Sequence, residues 1–391
     1  MNRFKSIIIL ATLVIVTFCP LNTKARPLPM TSPEKVGMSL SVLTTVDDVI
    51  NVSIANKDTP GAVLLVAHKG QIIYKKAYGN RMVEPHIEKM TVDTIFDMAS
   101  LTKPTATASG IMILAEEGKL NVNDTVCKYI PDFGQRGKEN VTLVNLLTHT
   151  SGFIPDGDYV NKNLGYDGII KDVISMSTTY TPGTKFVYSD VGYITLGEII
   201  KRVSGKPENE FVAERVFKSL GMNDTGFLPP KEKLDRCAPT ELRNGKLLQG
   251  QVHDPTAWEM GGVAGHAGLF STADDMAIFC QMILNGGEYN GVRIFKSETV
   301  RLMTTNQSPV INQPRGLGWD IGSRFAGQRG NVFPKEGFGH TGWTGTSVWV
   351  DPASQTFVIL LCNRNHPDGK GNVGRLRSQV SNIVATSIVK E

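Results

Sequence analysis

Three short stretches in a set order constrain this chain more than anything else in it. Ser100-Leu101-Thr102-Lys103 stands just ahead of a long helical stretch, Phe186-Val187-Tyr188-Ser189-Asp190 leads into a second helix, and Gly339-His340-Thr341-Gly342 lies beside a β-branched strand near the C-terminus. A serine and a lysine at i and i+3 of a helix face the same way. Such a serine and lysine, followed by a tyrosine and a basic-Thr-Gly strand, are a plan for acyl-transfer chemistry. To act together, the three pieces must be brought to one place from widely separated parts of a 391-residue chain.

No one of the pieces is informative alone. Ser-x-x-Lys occurs as Ser32/Lys35, Ser100/Lys103 and Ser387/Lys390. Only Ser100 sits at a strand-to-helix junction, and Pro104 suits a first helical turn whose N–H groups lack intrahelical partners. The plain reading of Ser100 is a helix cap, with Lys103 a solvated charge. Tyr-x-Asn/Asp occurs as Tyr78-Gly79-Asn80, Tyr159-Val160-Asn161 and Tyr188-Ser189-Asp190. Tyr159 is a true rival, and Tyr188 has the stronger setting, between Pro182-Gly183-Thr184 and a helix. The glycines around His340 allow another backbone or a ligand to approach closely.

The N-terminus reads as a secretory leader. Arg3 and Lys5 precede an apolar run from Ile7 to Phe18, and Thr23-Lys24-Ala25 offers a cleavage site after Ala25. Export to the periplasm or beyond is the expectation. Lipidation at Cys19 is disfavoured by the bulky Phe18 before it. Removing Arg3, Lys5 and Lys24 lowers the net charge from +4 to +1. With no basic block, nucleic acid is not an expected partner, and no later apolar stretch is long enough to span a membrane. Cys127, Cys237, Cys280 and Cys362 are scattered without metal-ligand spacing, so neither a disulfide pairing nor a metal is assigned.

The hydrophobic pattern predicts a helix over Leu40–Ile54, a hairpin from Ala62–His68 and Gln71–Tyr78 turned at Lys69-Gly70, and a helix over Ser100–Leu120. Further helices are expected at Leu143–Leu147, Gly192–Val203 and Thr272–Leu284, the last capped by Ser271 or Thr272. Strands are expected at Gly318–Ile321, Ser347–Val350 and Phe357–Cys362, before a closing helix bearing Val380, Ile383, Val384 and Ile388. Strands at both ends with helices between them imply one mixed sheet completed by distant segments. The expected layout is a leader over 1–25 and one unit over 26–391, with a sheet part (33–120 and 256–391) and a helical part (121–255).

Taken together, Ser100-Leu101-Thr102-Lys103, Tyr188-Ser189-Asp190 and His340-Thr341-Gly342 resemble the three signatures of the penicillin-recognising serine hydrolases, nearest the class C β-lactamase and D-alanyl-D-alanine carboxypeptidase branch. Leu146-Leu147-Thr148-His149-Thr150-Ser151-Gly152 and Gly268-Leu269-Phe270-Ser271-Thr272-Ala273-Asp274-Asp275 resemble the same family. The resemblance implies an α/β (α+β) β-lactamase/transpeptidase-like fold, with a mixed, mainly antiparallel sheet flanked by helices and a helical subdomain. It implies Ser100 as nucleophile, Lys103 and Tyr188 as the pair that moves its proton, and the N–H groups of Ser100 and Trp343 as the oxyanion site. Which of Lys103 and Tyr188 is the base stays open, and no cofactor is implied.

Two residues depart from the family pattern. Asp190 stands where much of the family has asparagine, and an ionised carboxylate only accepts hydrogen bonds. His340 replaces a lysine, and a neutral imidazole is a weaker partner for a substrate carboxylate. Asp190, His340, Thr341 and Gly342 are the expected substrate contacts, with Arg364 as a candidate for the missing positive charge. His253, Asp254 and His266 can be read as metal ligands, but loop-stabilising hydrogen bonds suit their spacing better. The expected activity is an exported D-alanyl-D-alanine carboxypeptidase or amidase acting on peptidoglycan peptides. Rivals are an esterase or weak class C-type β-lactamase and, in another class, a non-catalytic sensor of wall fragments or β-lactams. The partner in each case is a muropeptide, β-lactam or ester.

Overall fold

The computed structural model describes residues 27–243 and 245–389. The leader expected over 1–25, with Cys19, and Lys390 of the third Ser-x-x-Lys copy lie outside the described residues. Six strands form the main sheet: β1 (Gly61–His68), β2 (Gln71–Met82), β3 (Glu88–Lys89), β4 (Phe338–Thr341), β5 (Ser347–Asp351) and β6 (Thr356–Cys362). Their order is β4-β5-β6-β1-β2-β3, and every neighbouring pair is antiparallel. Strand β1 pairs with its hairpin partner β2 on one edge and with β6, from the far end of the chain, on the other. Leu65 thus lies between Lys75 and Ile359. The turn residues Lys69 and Gly70 have φ of 49° and 77°, the left-handed pair that a two-residue hairpin turn requires.

All eight residues of β1 are buried because both faces of the sheet are covered. Alternation sends Val63, Leu65 and Ala67 into one core cluster and Ala62, Leu64 and Val66 into another. Among the helices that contribute to the core, six bear on the site and its support: α1 (Val46–Ala55), α2 (Ser109–Glu116), α3 (Leu143–Leu147), α4 (Asp190–Ser204), α5 (Ala273–Leu284) and α6 (Gly374–Ser387). On the Leu64 face, α1 and α6 contribute Ile50, Val380 and Val384. On the Leu65 face a single continuous core runs through Ile111 of α2 and Met276 of α5 to Ile194 and Ile199 of α4. Helix α3 opens with a capping box in which Thr142 and Asn145 each bond the other's backbone N–H.

Four expectations need correction. The Leu40–Ile54 stretch forms two helices, Leu40–Leu43 and Val46–Ala55. Between them the hydroxyls of Thr44 and Thr45 donate to Ser41 O and Val42 O, the side-chain competition that weakens a helix interior. The Ser100–Leu120 stretch is helical but not one α-helix: a 3-10 turn (Ala99–Leu101) leads through wide π turns (Lys103–Ala108) into α2. Pro104 has no N–H to close an α turn, and the Ser109 hydroxyl donates to Pro104 O. Gly318–Ile321 is not a strand. Asp320 makes only single bridges, to Arg315 and Gly339, and its carboxylate accepts from the N–H and hydroxyl of Ser323, which turns the chain back. Finally, Ile388 lies past the end of α6, bridged to Met38.

The convergence of β1 with β6 makes Ile359, fully buried between Leu65 and Val348, a sensitive position. Ile359→Ala is expected to lower unfolding stability by about 2–5 kcal/mol in urea denaturation. Ile311→Ala, at a residue 86% exposed, is expected to change it by less than about 0.5 kcal/mol.

Candidate active site

Ser100 occupies the 3-10 turn just after the short strand Phe96–Asp97. The residue before it, Ala99, has φ of 46°, a left-handed conformation that costs a non-glycine residue about 1–3 kcal/mol. Several bonds hold it there. The N–H of Ala99 donates to Asp97 Oδ1 at 2.8 Å, and the N–H of His253 donates to Asp97 Oδ2 at 2.7 Å. The hydroxyls of Thr344 and Thr346 donate to the carbonyls of Asp97 and Met98. The serine is therefore presented on a backbone braced from the β4–β5 connection and from the 253 loop.

Lys103 lies beneath Ser100 with its side chain fully buried. Its Nζ donates to Ser100 Oγ at 2.9 Å and to the carbonyl of His266 at 3.0 Å, and it is 2.6 Å from Asp190 Oδ1. Burial opposes the charge, but Asp190 and Tyr188 outweigh it, so the ammonium holds its proton more tightly than a free lysine. Asp190 is placed by the start of α4, where Ser189 caps the helix by accepting from Gly192 N–H and donates its hydroxyl to Ile154 O. The Lys103 Nζ also lies 4.9 Å from the centroid of the Tyr188 ring and 5.6 Å from that of Tyr193.

Of the three candidate tyrosines, Tyr188 is the one that lines the cavity with Ser100. Tyr159 is buried elsewhere, its hydroxyl donating to Asp172 at 2.8 Å, and Tyr78 donates to Asp47 at 2.6 Å. Beneath Tyr188 lies a residue to which the sequence reading attached no role. His149 stacks on the Tyr188 ring with centroids 4.2 Å apart and planes 27° apart. Its Nδ1 accepts from the Ser189 N–H at 3.1 Å, which puts the proton of a neutral ring on Nε2. Burial, then Arg315 and Lys103, hold His149 well below the usual imidazole range, so it is a neutral platform. Its only sequence signal was membership of the Leu146–Gly152 stretch.

The cavity, about 910 Å³, is walled on the far side by His340, Thr341, Gly342 and Trp343. Gly342 is required by close approach: a Cβ there would lie 2.2 Å from Thr346 Oγ1 and 2.6 Å from Met98 O. His340 is buried, its Nδ1 3.0 Å from Thr341 O. Burial and the nearby cations Arg315 and Lys103 push its pKa well down, so it brings no positive charge. Trp343 is 67% exposed at the mouth. Arg364 also lines the cavity, but its Nε and Nη1 donate to the carbonyls of Trp343 and Gly371, and its guanidinium stacks on the Trp343 ring. The sequence reading missed Arg315. It is 1% exposed and lines the cavity, and its guanidinium is 6.0 Å from the Tyr188 ring centroid. One nitrogen pairs with Asp320 at 3.3 Å, while Nε and Nη2 have no hydrogen-bond partner among the described residues.

The 253–268 loop closes the site. His266 Nε2 is 2.8 Å from Asp254 Oδ1, and His253 Nε2 is 2.8 Å from the Asn365 amide and 3.2 Å from Glu241. Burial works against charge on His266, yet Asp254 outweighs it and raises the imidazole's affinity for its proton. Among the described residues no group of three or more His, Cys, Asp or Glu is arranged to hold a metal. The close fit at Gly342 makes its substitution a sharp probe. Gly342→Ala is expected to shift the Ser100 turn and lower kcat/KM by about 100-fold, while the far-ultraviolet circular dichroism spectrum stays that of the parent.

Residues 46–380 match the family model described as Beta-lactamase. The chain is 35% identical over 387 residues to a protein of Escherichia coli (strain K12) named "Putative D-alanyl-D-alanine carboxypeptidase", covering 89% of this chain and 88% of that one. Among solved structures, EstCE1, "a hydrolase with promiscuous acyltransferase activity", gives a TM-score of 0.73 at 21% identity over 88% of this chain and 98% of its own. A penicillin-binding protein homologue from Caulobacter crescentus gives 0.71 at 22%, over 90% and 98%. Those two likenesses speak to the fold alone, an antiparallel sheet flanked by helices. The family match and the 35% relative speak to descent: the chain belongs to the β-lactamase family and is a serine hydrolase.

Proposed function

We propose that this protein is an exported D-alanyl-D-alanine carboxypeptidase, or a closely related amidase, acting on peptidoglycan peptides through an acyl-enzyme on Ser100. The observation that carries the mechanism is the Lys103 ammonium, which donates to Ser100 Oγ while paired with Asp190. A lysine held in its charged form cannot accept the serine proton, so Tyr188 takes it, entering the cycle as the phenolate beside that ammonium. Ser100 Oγ then attacks the carbonyl carbon of the scissile bond, and the oxyanion lies between the N–H groups of Ser100 and Trp343. Tyr188 returns the proton to the leaving amine as the C–N bond breaks. It next takes a proton from water, whose oxygen attacks the ester, and passes that proton to Ser100 Oγ as the acyl group departs. His149 holds the Tyr188 ring in place by stacking.

Two observations support a peptide with a free C-terminal carboxylate as the substrate. The relative from Escherichia coli bears the carboxypeptidase name, and Arg315, a buried cation that lines the cavity, has two nitrogens without a hydrogen-bond partner among the described residues. Arg315 therefore takes the part expected of Arg364, which instead braces Trp343. The charge-neutral His340 keeps an esterase in view as the second reading, since an ester substrate needs no cation there.

Intact-mass spectrometry after incubation with a penicillin and with a muropeptide pool tests the mechanism. An adduct is expected in the parent and none in Ser100→Ala; turnover that survives Ser100→Ala sinks the reading. For the substrate, a D-Ala-D-Ala peptide is compared with its C-terminal amide. Arg315→Gln is expected to raise KM for the acid by about 10- to 100-fold, the 1.5–3 kcal/mol of a charged hydrogen bond, and to leave the amide unchanged. Preference for simple esters over both peptides would favour the esterase.

A further inference from the structure

Behind Lys103 lies a carboxyl group that the mechanism does not use. Thr107 Oγ1 is 2.6 Å from Glu208 Oε1 and 2.6 Å from the carbonyl oxygen of Gly265. A hydroxyl has one proton to donate and a carbonyl oxygen has none. Two contacts of that length among three oxygens need a second proton, and of the three groups only the carboxyl can carry it. With Glu208 ionised, Thr107 could satisfy one acceptor and would turn bare lone pairs toward the other.

We infer that Glu208 acts as a neutral carboxylic acid that donates to Thr107, which in turn donates to Gly265 O, and that this strap positions Lys103. All three segments that hold the ammonium meet at the strap. Thr107 lies in the same π turns as Lys103. Gly265 precedes His266, whose carbonyl accepts from Lys103 Nζ. Helix α4, which begins with Asp190, passes so close at Gly197 that a Cβ there would lie 2.7 Å from Glu208 Oε2 and 3.2 Å from Gly265 N. Glu208 is thus a positioning residue, with no contact to substrate.

The surroundings agree with a neutral acid. Glu208 is 4% exposed. Burial raises its carboxyl to about 7, against opposing contributions from Thr107 and His266. The other titratable groups around it are engaged elsewhere. His266 pairs with Asp254, Tyr166 donates to Glu198, and Glu198 pairs with Arg202.

The inference rests on the role proposed above for Lys103, so its test has one arm that needs no turnover. In the infrared spectrum of the full chain near neutral pH, subtracting Glu208→Gln from the parent is expected to leave a protonated-carboxyl C=O band. The subtraction cancels other buried acids such as Asp97 and Asp275. Thr107→Val, which deletes the relay hydroxyl, is expected to shift that band and supplies the same readout if the Gln variant does not fold. In the second arm the parent's kcat is expected to fall as pH rises through about 7, because the protonated form is the active one. Glu208→Gln, whose amide still donates to Thr107, is expected to keep kcat at higher pH with KM unchanged. Glu208→Ala is expected to lose roughly 10- to 100-fold in kcat at every pH. Absence of the band overturns the neutral acid, whatever the substrate is. A band with coincident alkaline limbs in parent and Glu208→Gln overturns the link to Lys103.

Discussion

A buried ammonium organises this protein. Taking a lysine charge out of water costs several kcal/mol even after relaxation, and Lys103 has no solvent exposure with which to recover it. Its three protons must meet acceptors held rigidly in place. Ser100 comes from its own turn, Asp190 from the start of α4, and the His266 carbonyl from a loop more than a hundred residues away in sequence. Each acceptor demands its own support: the cap at Ser189, the Asp254–His266 pair, and the Asp97 carboxylate that bonds both the serine turn and His253. Much of the polar network in the core follows from keeping one charge satisfied.

The rest of the cavity is arranged so that this charge is not diluted. His149 and His340 flank Tyr188, and both are kept neutral, first by burial and then by Arg315 and Lys103. A His-Thr-Gly strand in place of a lysine-bearing one therefore does not move a positive charge into the imidazole. The guanidinium of Arg315 lines the cavity from another segment, anchored by Asp320. Arg377 serves a different purpose, donating to the carbonyls of Gly342 and Thr346 to hold the tight turn after β4. Of the three arginines lining the cavity, Arg364 and Arg377 hold backbone carbonyls, while Nε and Nη2 of Arg315 are buried without a hydrogen-bond partner among the described residues.

Much of the architecture was legible in the sequence because it is written in local patterns. The Lys69-Gly70 turn, the alternation along β1, the Thr272 cap of α5 and the apolar side of α6 each depend on residues within a few positions of one another. The order of Ser100-x-x-Lys103, Tyr188 and His340-Thr341-Gly342 was equally plain, and with it the family. Less legible were places where side-chain bonds override the backbone preference that composition suggests. Gly318–Ile321 has the composition of a strand, but Asp320 is claimed by Ser323 and Arg315. The wide turns after Lys103 follow from Pro104, which lacks the N–H of an α turn, and from the Ser109 hydroxyl that donates to its carbonyl.

The sequence by itself therefore determined the class of fold, the family and the short motifs that carry the reactive groups, since helix faces, strand alternation and motif spacing are properties of neighbours along the chain. Only the tertiary structure put Tyr188 rather than Tyr159 on the cavity with Ser100, committed Arg364 to backbone carbonyls, and brought His149 against Tyr188 and Glu208 against Thr107. The physical reason is the same in each case. Whether a tyrosine is near a lysine, a guanidinium is committed or a carboxyl is charged depends on which groups surround it in space, and those groups come from segments that only folding brings together.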